Sequence, residues 1–282
     1  MTAEIIYGSE LAQQIRGELK EEVEQLHQSG VRPKLSVIII GDDPASKSYV
    51  KGKQKASNKI GMDADLWEYD SSLSEAELLD KIKELNDDSE VHGILVQLPL
   101  PDHIDEQKVI EAIDPSKDVD GFHPISVGKM MTGQDTFLPC TPHGIIVMLE
   151  RSGIQIEGKH AVILGRSNLV GKPVGQLLLN KNATVTYCHS RTENLKEITT
   201  QADILIVAVG RPSIISSEDI KEGAAVIDVG VNRVDGKLTG DVDFDSAKEV
   251  ASYLTPVPKG VGPMTITMLL YNTIEAAKKI DR

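Results

Sequence analysis

Cysteine is scarce: the 282 residues hold only Cys140 and Cys188. They form no Cys-x-x-Cys pair and have no clustered histidines beside them, so neither a disulfide framework nor a structural metal site is expected, and a reducing, cytoplasmic setting is. Long apolar runs are missing too. Nothing approaches the roughly 20 residues that a membrane-spanning helix needs, and the opening stretch MTAEIIYGSELAQQIRGELK lacks the cationic start and apolar core of an export signal. No membrane partner is expected. Positive charge is in deficit, with 30 basic against 43 acidic residues and a net charge of −13. Such a field repels phosphate backbones and anionic lipid, which argues against nucleic acid as a partner. Internal repeats and low-complexity tracts are absent, so solenoid architectures are set aside. What remains, 40% hydrophobic and 26% charged, is ordinary for a globular protein of one large or two modest domains.

Short apolar runs alternate with helical patterns along the whole chain, the pattern of an α/β fold with largely parallel strands. In the first half, strands are expected at 35–40 (LSVIII), 64–69 (ADLWEY) and 91–98 (VHGILVQL), with helices at about 9–29, 44–60, 74–86 and 105–113. Ser74 and Glu77 make a capping box for the third helix. The segment 114–139, rich in Pro, Gly and Asp, breaks the pattern and reads as a boundary loop. A bridging helix follows near 140–153, with Thr141 as N-cap and Pro142 at its first position. Strands at 160–165, 183–188, 203–210 and 224–230 then frame helices at about 171–181 and 192–200, and an apolar helix closes the chain.

One helix carries an anomaly. In PASKSYVKGKQKASNKI (44–60), at about 100° per residue, Lys47, Lys51 and Lys55 share a stripe with Gln54 and Asn58. Tyr49 and Lys53 fall nearly opposite, among Val50, Ala56 and Ile60. A helix buries its apolar stripe, so Lys53 points inward with a tyrosine one turn before it. The plain alternative is a lysine whose stem runs along apolar surface to water.

The second half has a nucleotide-binding pattern in HAVILGRSNLVGKPVGQLLL. A strand ends at Gly165, a tight loop follows, and Gly171, Pro173 and Gly175 open a helix whose N-terminal amides suit a phosphate. The spacing is not G-x-G-x-x-G, so the support comes from the strand–turn–helix context; an ordinary turn is the alternative. Nicotinamide sites for NAD place an acidic residue at the end of the second strand. Here stand His189, Ser190 and Arg191. Serine and arginine would hold a 2′-phosphate that a carboxylate would repel, so NADP is the expected cofactor, with Arg166 a second cation. In the first half, Gln97 ends a buried strand, where ligands of open α/β sheets collect, and Asp120 lies in the loop between the halves. A strand-end cap and an Asx turn are their structural alternatives. His123, His143 and His189 have no metal-site spacing and read as loop or cap residues.

The segments SKSYVKGKQKA, VQLPLPDHID, DPSKDVDGFHP, LPCTPHGI, GRSNLVGKPV, CHSRT, DVGVNRVDGKLTGDVDF and PVPKGVGPMT resemble, in order and over essentially the whole chain, the bifunctional methylenetetrahydrofolate dehydrogenase/methenyltetrahydrofolate cyclohydrolase family. One departure is visible: the family's usual Pro-Gly-Gly-Val-Gly-Pro-Met-Thr has Lys259 here in place of its first glycine.

The resemblance implies oxidation of 5,10-methylenetetrahydrofolate by NADP⁺ and hydrolysis of the methenyl product to 10-formyltetrahydrofolate. It implies Lys53 as the essential lysine, Gln97 as its hydrogen-bond partner, Tyr49 packed along the folate, and Asp120 reading the pterin donors. Gly165, Arg166, Ser167, Gly171, Ser190, Arg191 and Val231 are implied as cofactor contacts, and Gly262 and Pro263, with Tyr49 and Asp120, as substrate contacts. The implied fold is two α/β domains with the active cleft between them: a folate-binding catalytic domain of 1–139 and 264–282, and a Rossmann-type NADP-binding domain of 140–263. A homodimer is implied as well. Two other readings compete: another two-domain NAD(P) dehydrogenase of the shikimate or amino-acid type, and a nucleotide-binding sensor without catalysis. Tyr49, Lys53, Gln97 and Asp120 standing together argue against both.

Overall fold

The computed structural model describes residues 2–280. In chain order the first half comprises β1 (Glu4–Ile5), α1 (Gly8–Gln28), β2 (Lys34–Ile40), α2 (Pro44–Lys59), β3 (Asp63–Tyr69), α3 (Glu75–Asp87), β4 (Gly93–Val96), α4 (Glu106–Ala112) and α5 (Pro124–Met131). The second half comprises α6 (Cys140–Arg151), β5 (His160–Leu164), α7 (Gly171–Asn180), β6 (Thr184–Cys188), α8 (Leu195–Thr199), β7 (Ile204–Val207), β8 (Ala225–Asp228), β9 (Asn232–Val234), β10 (Lys237–Thr239), α9 (Phe244–Ala247), β11 (Tyr253–Leu254) and α10 (Val261–Ile280). Among the described residues no helix is long and apolar enough to cross a membrane.

The chain divides into two α/β units, the class that the alternating pattern predicts. One holds residues 14–140 and 266–280. Its sheet is parallel, in the order β3-β2-β4. Strands covered on both faces read as unbroken apolar runs, and β2, KLSVIII, is buried at every position after its first. Ile38, Ile40, Ile94 and Val96 of the sheet pack with Leu78, Ile82 and Leu85 of α3. The expected capping box starts α3: Ser74 Oγ accepts from Glu77 N at 3.3 Å, and Ser74 N donates to Glu77 Oε2 at 3.0 Å.

The other unit holds residues 2–13 and 141–265. Its six-stranded sheet runs β1-β11-β8-β7-β5-β6, all parallel. The chain leaves β5 for β6 on one side and returns to β7 on the other, which makes a topological switch point at the carboxyl ends of β5 and β7. Open α/β sheets bind ligands at such a point.

The structure corrects several expectations. Residues 2–13 group with this second unit and not with 14–140, because β1 pairs with β11 (Ile5 opposite Leu254) and Ala3 enters the same core. The boundary segment contains α5, whose N-cap is His123. The bridging helix begins at Cys140, so Thr141 lies inside it, and its hydroxyl meets Thr265 Oγ1 at 2.8 Å. The hairpin β9–β10 is not among the expected elements, although its Asp235-Gly236 turn has the positive φ values, 49° and 78°, that Asp-Gly hairpins adopt.

Candidate active site

Asp43 caps α2 by accepting from Ser46 N at 2.7 Å, and Pro44 occupies its first turn. This start phases the helix so that Val50, Lys53, Ala56 and Ser57 are buried, while Lys51, Lys55 and Lys59 face solvent. Lys53 is 5% exposed. Its Nζ donates to Gln97 Oε1 at 3.0 Å and lies 5.0 Å from the centre of the Tyr49 ring. Tyr49 itself is 36% exposed, so its ring is accessible beside the buried amine.

Gln97 follows β4 directly. Its backbone N–H donates to Ile38 O at 2.8 Å, extending the sheet ladder, and its Nε2 donates to Leu98 O at 2.7 Å. With the amide nitrogen so engaged, the amide oxygen faces Lys53. Burial lowers the Lys53 pKa, with the nearby Asp120 carboxylate opposing that fall. Burial raises Asp120, against the pull of Lys53 and of the neighbouring Cys140 thiol, which donates to Val119 O at 3.3 Å. Both groups are thus displaced toward their neutral forms.

The loop carrying Asp120 is held from both sides. Asp118, buried, accepts from Phe122 N at 3.2 Å, His123 N at 2.9 Å and Ser126 Oγ at 2.8 Å. Asn272 of α10 donates from Nδ2 to Val119 O at 2.8 Å and Leu138 O at 3.0 Å. An apolar recess lined by Leu98, Val109, Ile113 and Phe122 opens beside Asp118 and Asp120. Sequence reasoning missed both Cys140 and Asn272. Asn272 did leave a signal, a single amide among Leu269, Leu270 and Ile274. Cys140 left none.

In the other unit, β5 delivers the chain into the glycine loop. Gly165 has φ of +132° and sits against Ala208 O, so a Cβ there would strike the carbonyl. Gly171 packs against Gly165 O in the same way. Ser167 Oγ accepts from Val170 N and Gly171 N, each at 3.2 Å, so its hydroxyl shapes the loop. Leu164 of β5 pairs with Cys188 of β6, and Arg166 and Ser190 each lie two residues beyond. Both are exposed, as is Arg191. His189 Nδ1 accepts from Arg191 N at 3.2 Å, a loop role, one of the two expected for it. Val231, just after β8, is 64% exposed. These features fit a dinucleotide: a tight glycine loop whose close backbone approaches exclude a Cβ at Gly165 and Gly171, together with two exposed arginines and an exposed serine that suit a 2′-phosphate.

Gly262 and Pro263 open α10 in this same unit, and a Cβ on Gly262 would meet no neighbour within 4 Å. Just before them, Lys259 has φ of +81°, the left-handed conformation that glycine adopts without strain, and its carbonyl accepts from Ser9 N at 3.0 Å.

Residues 6–120 match the sequence family described as tetrahydrofolate dehydrogenase/cyclohydrolase, catalytic domain, and residues 139–281 match its NAD(P)-binding domain. The chain belongs to the tetrahydrofolate dehydrogenase/cyclohydrolase family. It is 63% identical over 280 residues, 99% of this chain and 98% of the relative, to the bifunctional protein FolD of Bacillus anthracis. The crystal structure of the Campylobacter jejuni FolD superposes with a TM-score of 0.97 at 49% identity, covering 98% of this chain and 99% of that one. The Trypanosoma brucei dehydrogenase-cyclohydrolase, complexed with NADP cofactor and inhibitor, superposes with a TM-score of 0.96 at 40% identity, covering 100% of this chain and 99% of that one. As a tetrahydrofolate dehydrogenase/cyclohydrolase, the chain is a bifunctional enzyme that uses NADP.

Proposed function

We propose that the two activities, oxidation of 5,10-methylenetetrahydrofolate with NADP⁺ and hydrolysis of the methenyl product to 10-formyltetrahydrofolate, divide their residues as follows. Lys53 is the acid–base group of the hydrolysis. Its neutral amine takes a proton from the water that adds to the methenyl carbon. The resulting ammonium then protonates the ring nitrogen whose bond to that carbon breaks, while the new hydroxyl releases its proton to solvent. The observation that carries this reading is the buried Lys53 amine bonded to an amide oxygen. Burial favours the neutral amine, and Gln97 orients it without adding a charge that would retain the proton.

Tyr49, accessible next to Lys53, packs along the folate. The Asp120 carboxylate, among the residues lining the small apolar recess, accepts from the pterin's amino and ring N–H donors, a pairing suited in charge. The chemistry the cofactor supplies when bound is acceptance of a hydride. For that step the protein's part is placement, since the substrate nitrogen lone pair drives the hydride's departure. Gly165, Ser167 and Gly171 form the phosphate cradle, Arg166, Ser190 and Arg191 hold the 2′-phosphate, and Val231 with Gly262 and Pro263 lines the reacting end. A homodimer and a cytoplasmic setting complete the reading, the latter supported by two buried, unpaired cysteines.

Lys53→Met tests the central assignment. Cyclohydrolase activity is expected to vanish while NADP binding is retained. A purified variant that hydrolyses methenyltetrahydrofolate at the wild-type rate would remove Lys53 from the reaction.

A further inference from the structure

Two buried carboxylates stand behind the carboxyl ends of β7 and β8. Asp241 is 0% and Asp228 4% exposed. Asp241 Oδ2 accepts from Val209 N at 2.7 Å and Gly210 N at 2.8 Å, and its Oδ1 accepts from Arg211 N at 2.8 Å and Asn232 Nδ2 at 2.9 Å. Asp228 supports it from below: Oδ1 accepts from Asp241 N at 2.9 Å and Gly230 N at 3.0 Å, and Oδ2 accepts from Val242 N at 3.0 Å. The packing leaves no slack, since a Cβ on Gly230 would strike the Asp241 carboxyl and one on Gly240 would strike that of Asp228.

The placement has a physical reason. The N–H groups of Ala208 and Val229 still bond to Leu164 O and Val207 O of the neighbouring strands; from Val209 and Gly230 onward the amides turn to the two carboxylates instead. Unmet donors there would be costly, yet another strand would fill the space a ligand needs. A carboxylate satisfies three consecutive amides from behind with strong, charge-assisted bonds. Those amides are then committed and cannot take a cofactor phosphate.

The direction of the dinucleotide follows from the sheet order β8-β7-β5-β6. With the 2′-phosphate held at the end of β6 and the pyrophosphate at α7 after β5, the nicotinamide half lies over the ends of β7 and β8. Those are the loops that Asp241 ties together. Resting on that cofactor reading, we propose that Asp241, seated on Asp228, is a positioning residue of the dehydrogenase: it holds 209–211 and 230–232 as the fixed wall against which the nicotinamide is aligned.

Asp241→Asn tests this, because an amide nitrogen then faces N–H donors. The full-length variant is compared with wild type in three measurements: dehydrogenase kcat, cyclohydrolase rate without cofactor, and affinity for 2′,5′-ADP, which engages only the adenosine end. Dehydrogenase kcat is expected to fall at least about tenfold, since misplacement of reacting groups by about 1 Å costs up to about a hundredfold. The other two measurements are expected to stay within about twofold of wild type. Asn232→Ala, which removes one donor and leaves the backbone bonds, is expected to lower kcat by about two- to fivefold and carries the test if Asp241→Asn does not fold. Unchanged kcat in Asp241→Asn, or in Asn232→Ala where Asp241→Asn does not fold, would overturn the proposal, as would loss of 2′,5′-ADP binding in a folded Asp241→Asn. Wild-type protein that fails to bind 2′,5′-ADP would sink the 2′-phosphate assignment instead.

Discussion

The hydrogen bond that holds the Lys53 amine runs to an amide, Gln97 Oε1, at 3.0 Å. Burial lowers the pKa of that amine below its ordinary value of 10.5, and Asp120 limits the fall without bonding to it. Cyclohydrolase activity therefore rises with pH as Lys53 loses its proton, over a window below 10.5. Gln97→Glu places an anion at hydrogen-bond distance and favours the ammonium. The alkaline rise is expected to move up by about 1–3 pH units, read from kcat against pH. A rise at the wild-type position would show that Lys53 does not supply the titrating group.

Asp120→Asn keeps one acceptor oxygen and loses the charge. Folate binding is expected to weaken by about 1.5–3 kcal/mol, the range for hydrogen bonds to charged groups, with the NADP dissociation constant unaffected. Titration with a non-reacting folate measures it; unaltered affinity would assign Asp120 to the loop's structure alone.

Cofactor choice is expected to depend on the paired ends of β5 and β6, where Leu164 lies opposite Cys188 and Arg166 and Ser190 each follow two residues on, with Arg191 next in sequence. Replacing Arg166 and Arg191 together by neutral residues is expected to raise KM for NADP⁺ at least about tenfold, equivalent to about 1.4 kcal/mol. Use of NAD⁺ should change little. Equal loss of both cofactors would mean that the arginines hold the loop and do not read the phosphate.

Lys259 has φ of +81°. A left-handed backbone costs an L-residue about 1–2 kcal/mol, and glycine's greater freedom in the unfolded chain returns about 0.5–1 kcal/mol of any gain. Lys259→Gly is expected to stabilise the protein by about 0.5–1 kcal/mol, seen as a higher urea midpoint at unchanged slope. A lower midpoint would show that the lysine side chain contributes more than its backbone costs.

Much of this protein is legible in its sequence because the forces involved act over a few residues. The short β-branched run LSVIII reads as a strand covered on both faces, Ser74 with Glu77 marks a helix start, and the phase of α2 puts Lys53 on its apolar face. The tertiary structure alone decided the rest. A two-residue strand such as β1 has no periodicity, and it exists because Tyr253–Leu254, from the far end of the chain, offers it a partner. The helix α5 forms inside a Pro/Gly/Asp-rich segment because Asp118 accepts from the amides of Phe122 and His123 at its start. The chemistry of Lys53 is decided at the same level: its proton affinity depends on the desolvation that packing imposes and on Asp120, a carboxylate 67 residues along the chain (120 − 53). Short-range pattern places a side chain on a face, but only the assembled core sets the dielectric and the neighbours it meets there.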